Sequence, residues 1–182
     1  MSEMFSRRVF LRGLSVVAAA AALTACSSTN EAVNQALIEG AVGGIVAADC
    51  KIGRMTYWAA NATVPVNEIS FRIVMTNVSS KPVTLSGDNF ATTLDGTPIP
   101  PFNFSARDVG DADIWRTYDS LTIRPGEERS VALAYEISQP TYDSWYRSSR
   151  TVAVSFTCGN QRVTYTKNSR SDEITVSDIE TL

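Results

Sequence analysis

Residues 68–77 read EISFRIVMTN, and in this stretch apolar and lighter side chains alternate with a period of two. The apolar set is Ile69, Phe71, Ile73 and Met75, and the lighter set is Glu68, Ser70, Arg72 and Thr76. Successive side chains of an extended chain point to opposite faces, so this pattern predicts a β-strand with one face packed on a core. Such a strand is typical of an antiparallel sheet that is solvated on its other face.

The same period of two recurs along the folded part of the chain. Residues 129–137 carry the apolar set Val131, Leu133, Tyr135 and Ile137, and residues 151–158 carry Val152, Val154, Phe156 and Cys158. Shorter stretches of the same kind surround Leu85, residues 90–94, Ile123 and Tyr165. Turn-forming residues separate the stretches, and the Gly159–Asn160 pair predicts a tight hairpin between two strands.

Seven or eight short strands with regular turns predict an all-β fold, an antiparallel two-sheet sandwich over residues 50–170. No strand–helix–strand unit interrupts the pattern, which argues against a parallel sheet. Residues 171–182 form a C-terminal tail with room for one extra strand. A chain of this length supports one real core, because a domain of about 150 residues buries roughly 68–70% of its unfolded surface.

The runs FRIVMTNVSSKPVTL and LTIRPGEERSVALAYEI resemble bacterial exported immunoglobulin-like domains of unknown function. In those domains a strand ends in Asn-x-Ser, the next opens with Pro-Val, and a Pro-Gly-Glu turn precedes a long core strand. The matching residues are Asn77, Ser79, Pro82, Val83, Pro125, Gly126 and Glu127. The resemblance covers residues 67–137 and implies an immunoglobulin-like sandwich in an exported protein, with no shared enzymatic activity to carry over.

The N-terminus carries an export signal. Residues 6–12 read SRRVFLR and resemble the twin-arginine motif through Arg7, Arg8, Phe10 and Leu11, with Arg12 in place of the usual lysine. The apolar residues that follow, 13–25, are too few to span a membrane, which takes about 20 residues. The resemblance implies that the protein folds before it crosses the membrane. An ordinary secretory signal with paired arginines is the alternative.

Residues 23–26 read LTAC and resemble the bacterial lipobox. The resemblance implies that the signal peptide of residues 1–25 is removed and that the Cys26 thiol receives a lipid; no other cofactor is expected. Because two or three acyl chains anchor a protein stably, we expect it on the outward side of the cell membrane, or on an outer membrane if the cell has one. A bare cysteine in an ordinary signal is the alternative. Residues 26–49 then form a short stalk with loosely helical spacing.

The composition narrows the chemistry that is open to the protein. The chain has no histidine, which excludes Ser-His and Cys-His catalytic pairs and histidine metal sites. The signal peptide holds three of the 16 basic residues and one of the 19 acidic residues, so the mature part has a net charge of −5. An acidic body without a basic stripe argues against nucleic acid as a partner.

Cys50 and Cys158 are the cysteines of the mature chain besides Cys26. Export into a non-reducing compartment permits a disulfide, and the alternation places Cys158 on the core side of its strand. We predict that Cys50 and Cys158 are joined; two separate buried thiols are the alternative.

An aromatic cluster lies in the connection between two predicted core strands. Tyr142, Trp145 and Tyr146 stand near Arg147 and Arg150, and these are residue types that lead at protein interfaces. The cluster is therefore a candidate contact surface for a partner. The alternative is that the rings plug the open end of the sandwich.

The run FSARDVGDADIWRTYDS, residues 104–120, is predicted as a long loop between strands. Its carboxylates are weak calcium candidates, because Ca²⁺ takes six to eight oxygen ligands. They are Asp108, Asp111, Asp113 and Asp119. A solvated acidic loop is the alternative. Trp115 and Tyr118 flank this loop as a second, smaller aromatic pair.

Together, these features predict that the protein functions as a lipid-anchored binding or accessory module of the cell envelope that performs no catalysis and holds no metal. Its partners are the membrane, through the lipid, and an unidentified envelope protein or surface polymer. One alternative is a hydrolase that acts on cell-wall glycan or peptide through carboxylates. Another is a calcium-stabilised structural domain.

Overall fold

The computed structural model describes residues 40–57, 66–109 and 115–182. Within them the chain forms thirteen strands, one short α-helix and one 3-10 turn. The strands are β1 (Ile45–Tyr57), β2 (Val66–Asn77), β3 (Val83–Ser86), β4 (Phe90–Leu94), β5 (Thr97–Ile99), β6 (Asn103–Asp108), β7 (Arg116–Thr117), β8 (Ser120–Ile123), β9 (Glu128–Glu136), β10 (Thr151–Cys158), β11 (Gln161–Asn168), β12 (Ile174–Val176) and β13 (Glu180–Thr181). The helix, α1, spans Gln139–Ser144, and the 3-10 turn spans Gly87–Asn89.

Two antiparallel sheets pack face to face. The first sheet has the strand order β1-β2-β9-β6-β7, and the second has β12-β11-β10-β4-β5 with β13 paired to β11. Strands β3 and β8 form a separate two-stranded ladder. The ring centroid of Phe71 in β2 lies 5.6 Å from that of Tyr165 in β11 and 6.1 Å from that of Phe90 in β4, so both sheets contribute to one core. The predicted all-β, immunoglobulin-like antiparallel sandwich is confirmed.

The core residues are the ones that the period of two selects. Along β2 the apolar set from Ile69 to Met75 is at most 1% exposed, and β9 and β10 bury their apolar sets in the same way. Burying each such side chain contributes roughly 1.5–3 kcal/mol, which makes this term the main driving force for the fold. The predicted hairpin is also present, because Cys158 pairs with Gln161 across the Gly159–Asn160 turn.

The sandwich begins earlier than predicted. β1 starts at Ile45, and Val42 is already buried in the core, whereas the sequence predicts a stalk up to residue 49. Gly43 and Gly44 adopt φ values of +58° and +86° in a turn that is closed by hydrogen bonds of 2.9 and 3.0 Å between Val42 and Ile45. A Cβ on Gly43 would lie 2.4 Å from the Cys158 Sγ, so this turn requires glycine. The glycines therefore mark a domain entry and not a flexible stalk.

The prediction of a loop over residues 104–120 is wrong on both sides, because β6 and β7 are strands that pair with each other. β6 also pairs with the core strand β9 over its whole length. Its alternation is faint, because Phe104 and Ala106 are its only apolar residues. In the C-terminal tail, two short strands, β12 and β13, replace the single extra strand expected.

Several sequence predictions fall outside the described residues. These are the signal peptide of residues 1–25 with Arg7, Arg8, Phe10 and Leu11, the lipidation site Cys26, and the stalk up to residue 39. Across the ranges that are described, no helix combines the length and the apolar character that a membrane crossing requires.

The predicted disulfide between Cys50 and Cys158 is wrong, since both residues are free and buried. The Cys158 Sγ lies 3.7 Å from the Gly43 carbonyl oxygen at the entry to β1, whereas Cys50 interacts electrostatically with Tyr165. Tyr165 pairs with Val154, four residues before Cys158, which is about 13 Å along a strand. That offset exceeds the Cα separation of roughly 4.4–6.8 Å that a disulfide needs.

We expect both thiols to remain reduced and unreactive in the folded protein. Burial raises the pKa of Cys50 and of Cys158, so little thiolate forms at neutral pH. Alkylation followed by mass spectrometry should label neither cysteine in the native protein and both after unfolding without reductant. An unfolded, non-reduced protein that takes up no label at these positions would contradict this expectation.

Candidate functional site

The face of the first sheet that points away from the core carries a groove. Its central strand, β9, presents the small side chains of Ser130, Ala132 and Ala134 there, with a glutamate at each end of the strand. The neighbouring strands present longer polar residues, and the register aligns Arg72 of β2, Ala132 and Ser105 of β6 in one row across the sheet. The small residues of β9, with Arg72 on the β2 side and Arg107 on the β6 side, leave a trough along the sheet.

We call this trough the outer-face groove. It has a volume of about 170 Å³. Its lining consists of Glu68, Ser70, Arg72, Asn103, Ser105, Trp115, Ala132, Leu133 and Ala134. The lining is mainly polar, with one large aromatic ring, and a few placed polar groups around an aromatic surface are typical of sites that orient a small ligand.

Trp115, which lies directly before β7, is in contact with two cations. The guanidinium carbon of Arg107 lies 5.0 Å from the Trp115 ring centroid, and that of Arg72 lies 5.5 Å from it. Both distances are within the range of cation–π attraction. These contacts fix the tryptophan over the groove.

Arg72 is exposed and is oriented by its neighbours. Its Nε donates to the Ser70 hydroxyl at 3.3 Å, and its Nη2 lies 3.1 Å from the Met55 sulfur. In the described part of the chain, no carboxylate lies within ion-pair distance of this guanidinium. The side chain is thus positioned at the groove with its charge not neutralised by a direct ion pair.

Glu68 is a buried carboxyl group in the wall of the groove. It is only 7% exposed, and none of the described residues donates a hydrogen bond to its side chain. Burial raises the pKa of Glu68 above its ordinary value, and the charge of Arg72 opposes this shift. A carboxyl group whose pKa is raised by partial desolvation in a groove is a common mark of a group kept for binding or chemistry.

Glu68→Gln should therefore stabilise the protein at neutral pH. A pKa that is higher in the folded than in the unfolded state means that the folded chain binds the proton more tightly, so Glu68 lowers stability as the pH rises through that pKa. We expect the free energy of unfolding of the variant, from urea denaturation, to exceed that of the wild type at pH ~7 and to approach it at pH ~4. Glu173→Gln, at an exposed position, is the control; an equal effect of Glu68→Gln at both pH values would contradict the assignment.

The predicted aromatic contact surface does not hold together. Trp145 is 2% exposed and belongs to the core, and its carbonyl oxygen accepts a hydrogen bond of 2.5 Å from the Ser169 hydroxyl. Trp145 is therefore not a surface contact, and the alternative of a core plug is the right one for it. The short helix α1, which begins after the capping residue Ser138, turns the chain back and directs Trp145 inward.

The two tyrosines of this cluster stay nearer the surface. Tyr146 is 56% exposed and Tyr142 is half-buried. The guanidinium carbon of Arg54 lies 4.3 Å from the Tyr142 ring centroid and 4.8 Å from that of Tyr146, and Arg54 also donates to the Tyr142 carbonyl at 2.8 Å. Arg150 is bound to Asp95 at 2.8 Å. These side chains close the end of the sandwich and leave only Tyr146 prominent.

The calcium candidates are divided between described and undescribed residues. Asp108 ends β6 and forms an ion pair with Arg129, which also pairs with Glu127. Asp119 is exposed just before β8. Asp111 and Asp113 lie outside the described residues. Asp108 is therefore bound to a cationic side chain of its own sheet.

The sequence analysis does not predict the outer-face groove, although the sequence contains some of the residues that indicate it. The lighter side of β2 supplies Glu68, Ser70 and Arg72, and Trp115 stood out as an aromatic beside a predicted loop. The missing element was β6, whose outward residues include Asn103 and Ser105. Without that strand the sequence offers no second wall for a groove.

Comparison with known proteins finds solved structures that resemble part of this chain at low sequence identity. No protein-family model matches the chain, and no curated protein matches it. The YcdA protein of Bacillus subtilis, a candidate lipoprotein, is 10% identical with a TM-score of 0.44, and the match covers 78% of this chain and 40% of that protein. An uncharacterized β-sandwich protein from Clostridium difficile is 15% identical with a TM-score of 0.41 over 68% and 83% of the two chains. A functionally unknown protein from Listeria monocytogenes is 10% identical with a TM-score of 0.42 over 66% and 70%.

Proposed function

We propose that the protein is an exported, lipid-anchored binding module of the cell envelope, and that its ligand docks in the outer-face groove. The observation that carries the proposal is the arrangement in the groove. Trp115 is fixed by two guanidinium groups above small side chains, and the buried Glu68 carboxyl stands in the wall beside it. An aromatic ring with convergent polar groups is the usual make-up of a recognition site.

The anchor complements such a groove. The twin-arginine residues Arg7 and Arg8 would direct export of the folded chain, and a lipid on Cys26 would hold the domain at a membrane surface. Tethering raises the effective concentration of a module next to the polymers and proteins of the same surface, so a modest affinity in the groove suffices. No cofactor enters this mechanism besides the lipid.

Trp115→Ala should release the protein from its envelope ligand. The lipidated protein, solubilised in detergent, is mixed with detergent-washed envelopes of the producing cells, and the bound fraction is pelleted. We expect the apparent Kd of the variant to rise about thirtyfold or more, because an aromatic residue at the centre of a contact commonly costs at least about 2 kcal/mol on truncation. Tyr146→Ala, an exposed aromatic outside the groove, is the matched control. Equal retention of Trp115→Ala and the wild type would refute the proposal.

A glycan hydrolase that works through carboxylates is a second candidate, favoured by one observation. Glu68 is the cross-strand partner of Glu136 in the β2–β9 pair, so two carboxyl groups lie close together at the end of the groove. Glycosidases use two carboxyl groups, one of them with a raised pKa. Release of reducing ends from cell-wall glycan by the wild type, and its loss in Glu68→Gln, would favour this candidate over simple binding.

A further inference from the structure

The geometry points to an acidic polysaccharide as the ligand of the outer-face groove, with one carboxylate-bearing sugar ring seated in it. This inference rests on the proposed function and specifies the ligand of the same groove. The groove's volume of about 170 Å³ is smaller than the roughly 300–1,000 Å³ of pockets that enclose a whole drug-sized ligand. It therefore suits a single ring of a longer molecule that continues across the sheet.

Cationic side chains cross the outer face beside the groove. Lys51 of β1 pairs with Arg72 of β2, and both are exposed, while Arg107 of β6 is half-buried beside Trp115. A guanidinium presents a planar fork of donors that matches a carboxylate through two hydrogen bonds. Glu68 and Glu136 are paired at one end of the groove, so these cations would hold the carboxylate of an anionic polymer at the other end.

Neutral hydrogen-bonding groups line the remainder of the groove. Ser70, Asn103 and Ser105 supply hydroxyl and amide groups, and Glu68 supplies a carboxyl group. None of the described residues donates a hydrogen bond to that carboxyl group. The hydroxyls of a sugar ring are both donors and acceptors, so they would bind Glu68 and add to the hydrogen bonds that the two serines make with Arg72 and with the Ala132 carbonyl oxygen, while the ring's apolar face lies next to Trp115.

The position of the groove disfavours an acidic peptide. Peptides that bind to sheets extend an edge strand, where unpaired N–H and C=O groups provide main-chain hydrogen bonds. The groove instead lies over β9, whose backbone is paired with β2 on one side and with β6 on the other. Recognition at this place must use side chains, and a sugar carries its hydrogen-bonding groups on its periphery, where side chains reach them.

The test compares two forms of one probe. The lipidated protein in detergent micelles is titrated calorimetrically with oligogalacturonate and with the same oligosaccharide after its carboxyl groups are reduced to alcohols. We expect the carboxylate form to bind at least about tenfold more tightly, the scale of one charge-assisted, two-point contact. Arg72→Gln should abolish this difference, and Arg124→Gln, at an exposed turn outside the groove, should preserve it. Unchanged melting temperatures of both variants would show that the fold is intact.

Equal affinity for the two forms of the probe would overturn the inference. Poly-L-glutamate or poly(glycerol phosphate) binding as tightly as oligogalacturonate would also overturn it, because the groove would then recognise negative charge without regard to the sugar. If oligogalacturonate does not bind while Trp115→Ala still releases the protein from washed envelopes, the saccharide inference is wrong and the proposed function stands. If Trp115→Ala leaves envelope retention unchanged, the proposed function itself is wrong.

Discussion

Trp145→Ala should lower the free energy of unfolding by about 3–5 kcal/mol, the usual cost of removing a large aromatic side chain from a core. Trp145 is 2% exposed, and it follows α1 directly, so its truncation leaves a cavity under the end of the sandwich. The hydrogen bond that the Ser169 hydroxyl donates to the backbone carbonyl oxygen of residue 145 survives the change and cannot compensate for the lost packing. A domain of marginal stability, about 5–15 kcal/mol, would keep only part of its stability.

Equilibrium denaturation in urea measures this loss, with Tyr146→Ala as the control. Tyr146 is the next residue in the chain but is 56% exposed, so its truncation should change the stability by about 0.5 kcal/mol or less. If Trp145→Ala were as mild as Tyr146→Ala, Trp145 would not be a core residue and the partner-contact interpretation of the cluster would regain its basis.

Cys26→Ala should move the protein from the membrane to the aqueous phase almost completely. The lipobox-like residues 23–26 predict one acylated cysteine, and among the described residues no helix offers a second means of crossing the membrane. Without the acyl chains, an acidic domain has no attraction to an anionic lipid surface. Any variant chain that keeps its signal peptide is recognised by its larger mass and scored separately, because its apolar residues 13–25 still attach it to the membrane.

Detergent phase partitioning followed by immunoblotting measures this change. Ser28→Ala, two residues further on, is the matched control and should partition with the wild type. Continued membrane partitioning of Cys26→Ala in a form cleaved after residue 25 would show that the protein has another anchor, and the lipoprotein assignment would then be wrong.

The strands that alternate strongly are predictable from the sequence, and the reason is local. In β2, β9 and β10 every second residue is large and apolar, so the burial of one face is already encoded in the spacing. β6 has only Phe104 and Ala106 on its inner face, and its strand state comes from pairing with β9, which is a tertiary effect. β1 was predicted to start too late because Gly43 and Gly44, which are turn residues here, also suit a flexible stalk.

The site is less predictable because it depends on which strands are neighbours. Arg72 and Ser105 are separated by 33 positions, and only the insertion of β9 between β2 and β6 places them in one row. The predicted disulfide failed for the same reason. Cys158 does lie on the core side of its strand, as expected, but the register places it beside Gly43 and not beside Cys50. Side-chain phase can be read from a sequence, whereas register between distant strands cannot.

Photo-crosslinking in living cells tests most directly whether the outer-face groove is the binding surface. A photoreactive benzoylphenylalanine at Gly53 stands next to the groove, because Gly53 pairs with Ser70 and a Cβ at this position meets no atom within 4 Å. The same residue at Thr175, exposed on β12 of the second sheet, is the control. We predict crosslinks to envelope polysaccharide from position 53, their loss on Trp115→Ala, and none from position 175. Crosslinks of equal yield from both positions, or from position 175 alone, would contradict the assignment of the groove.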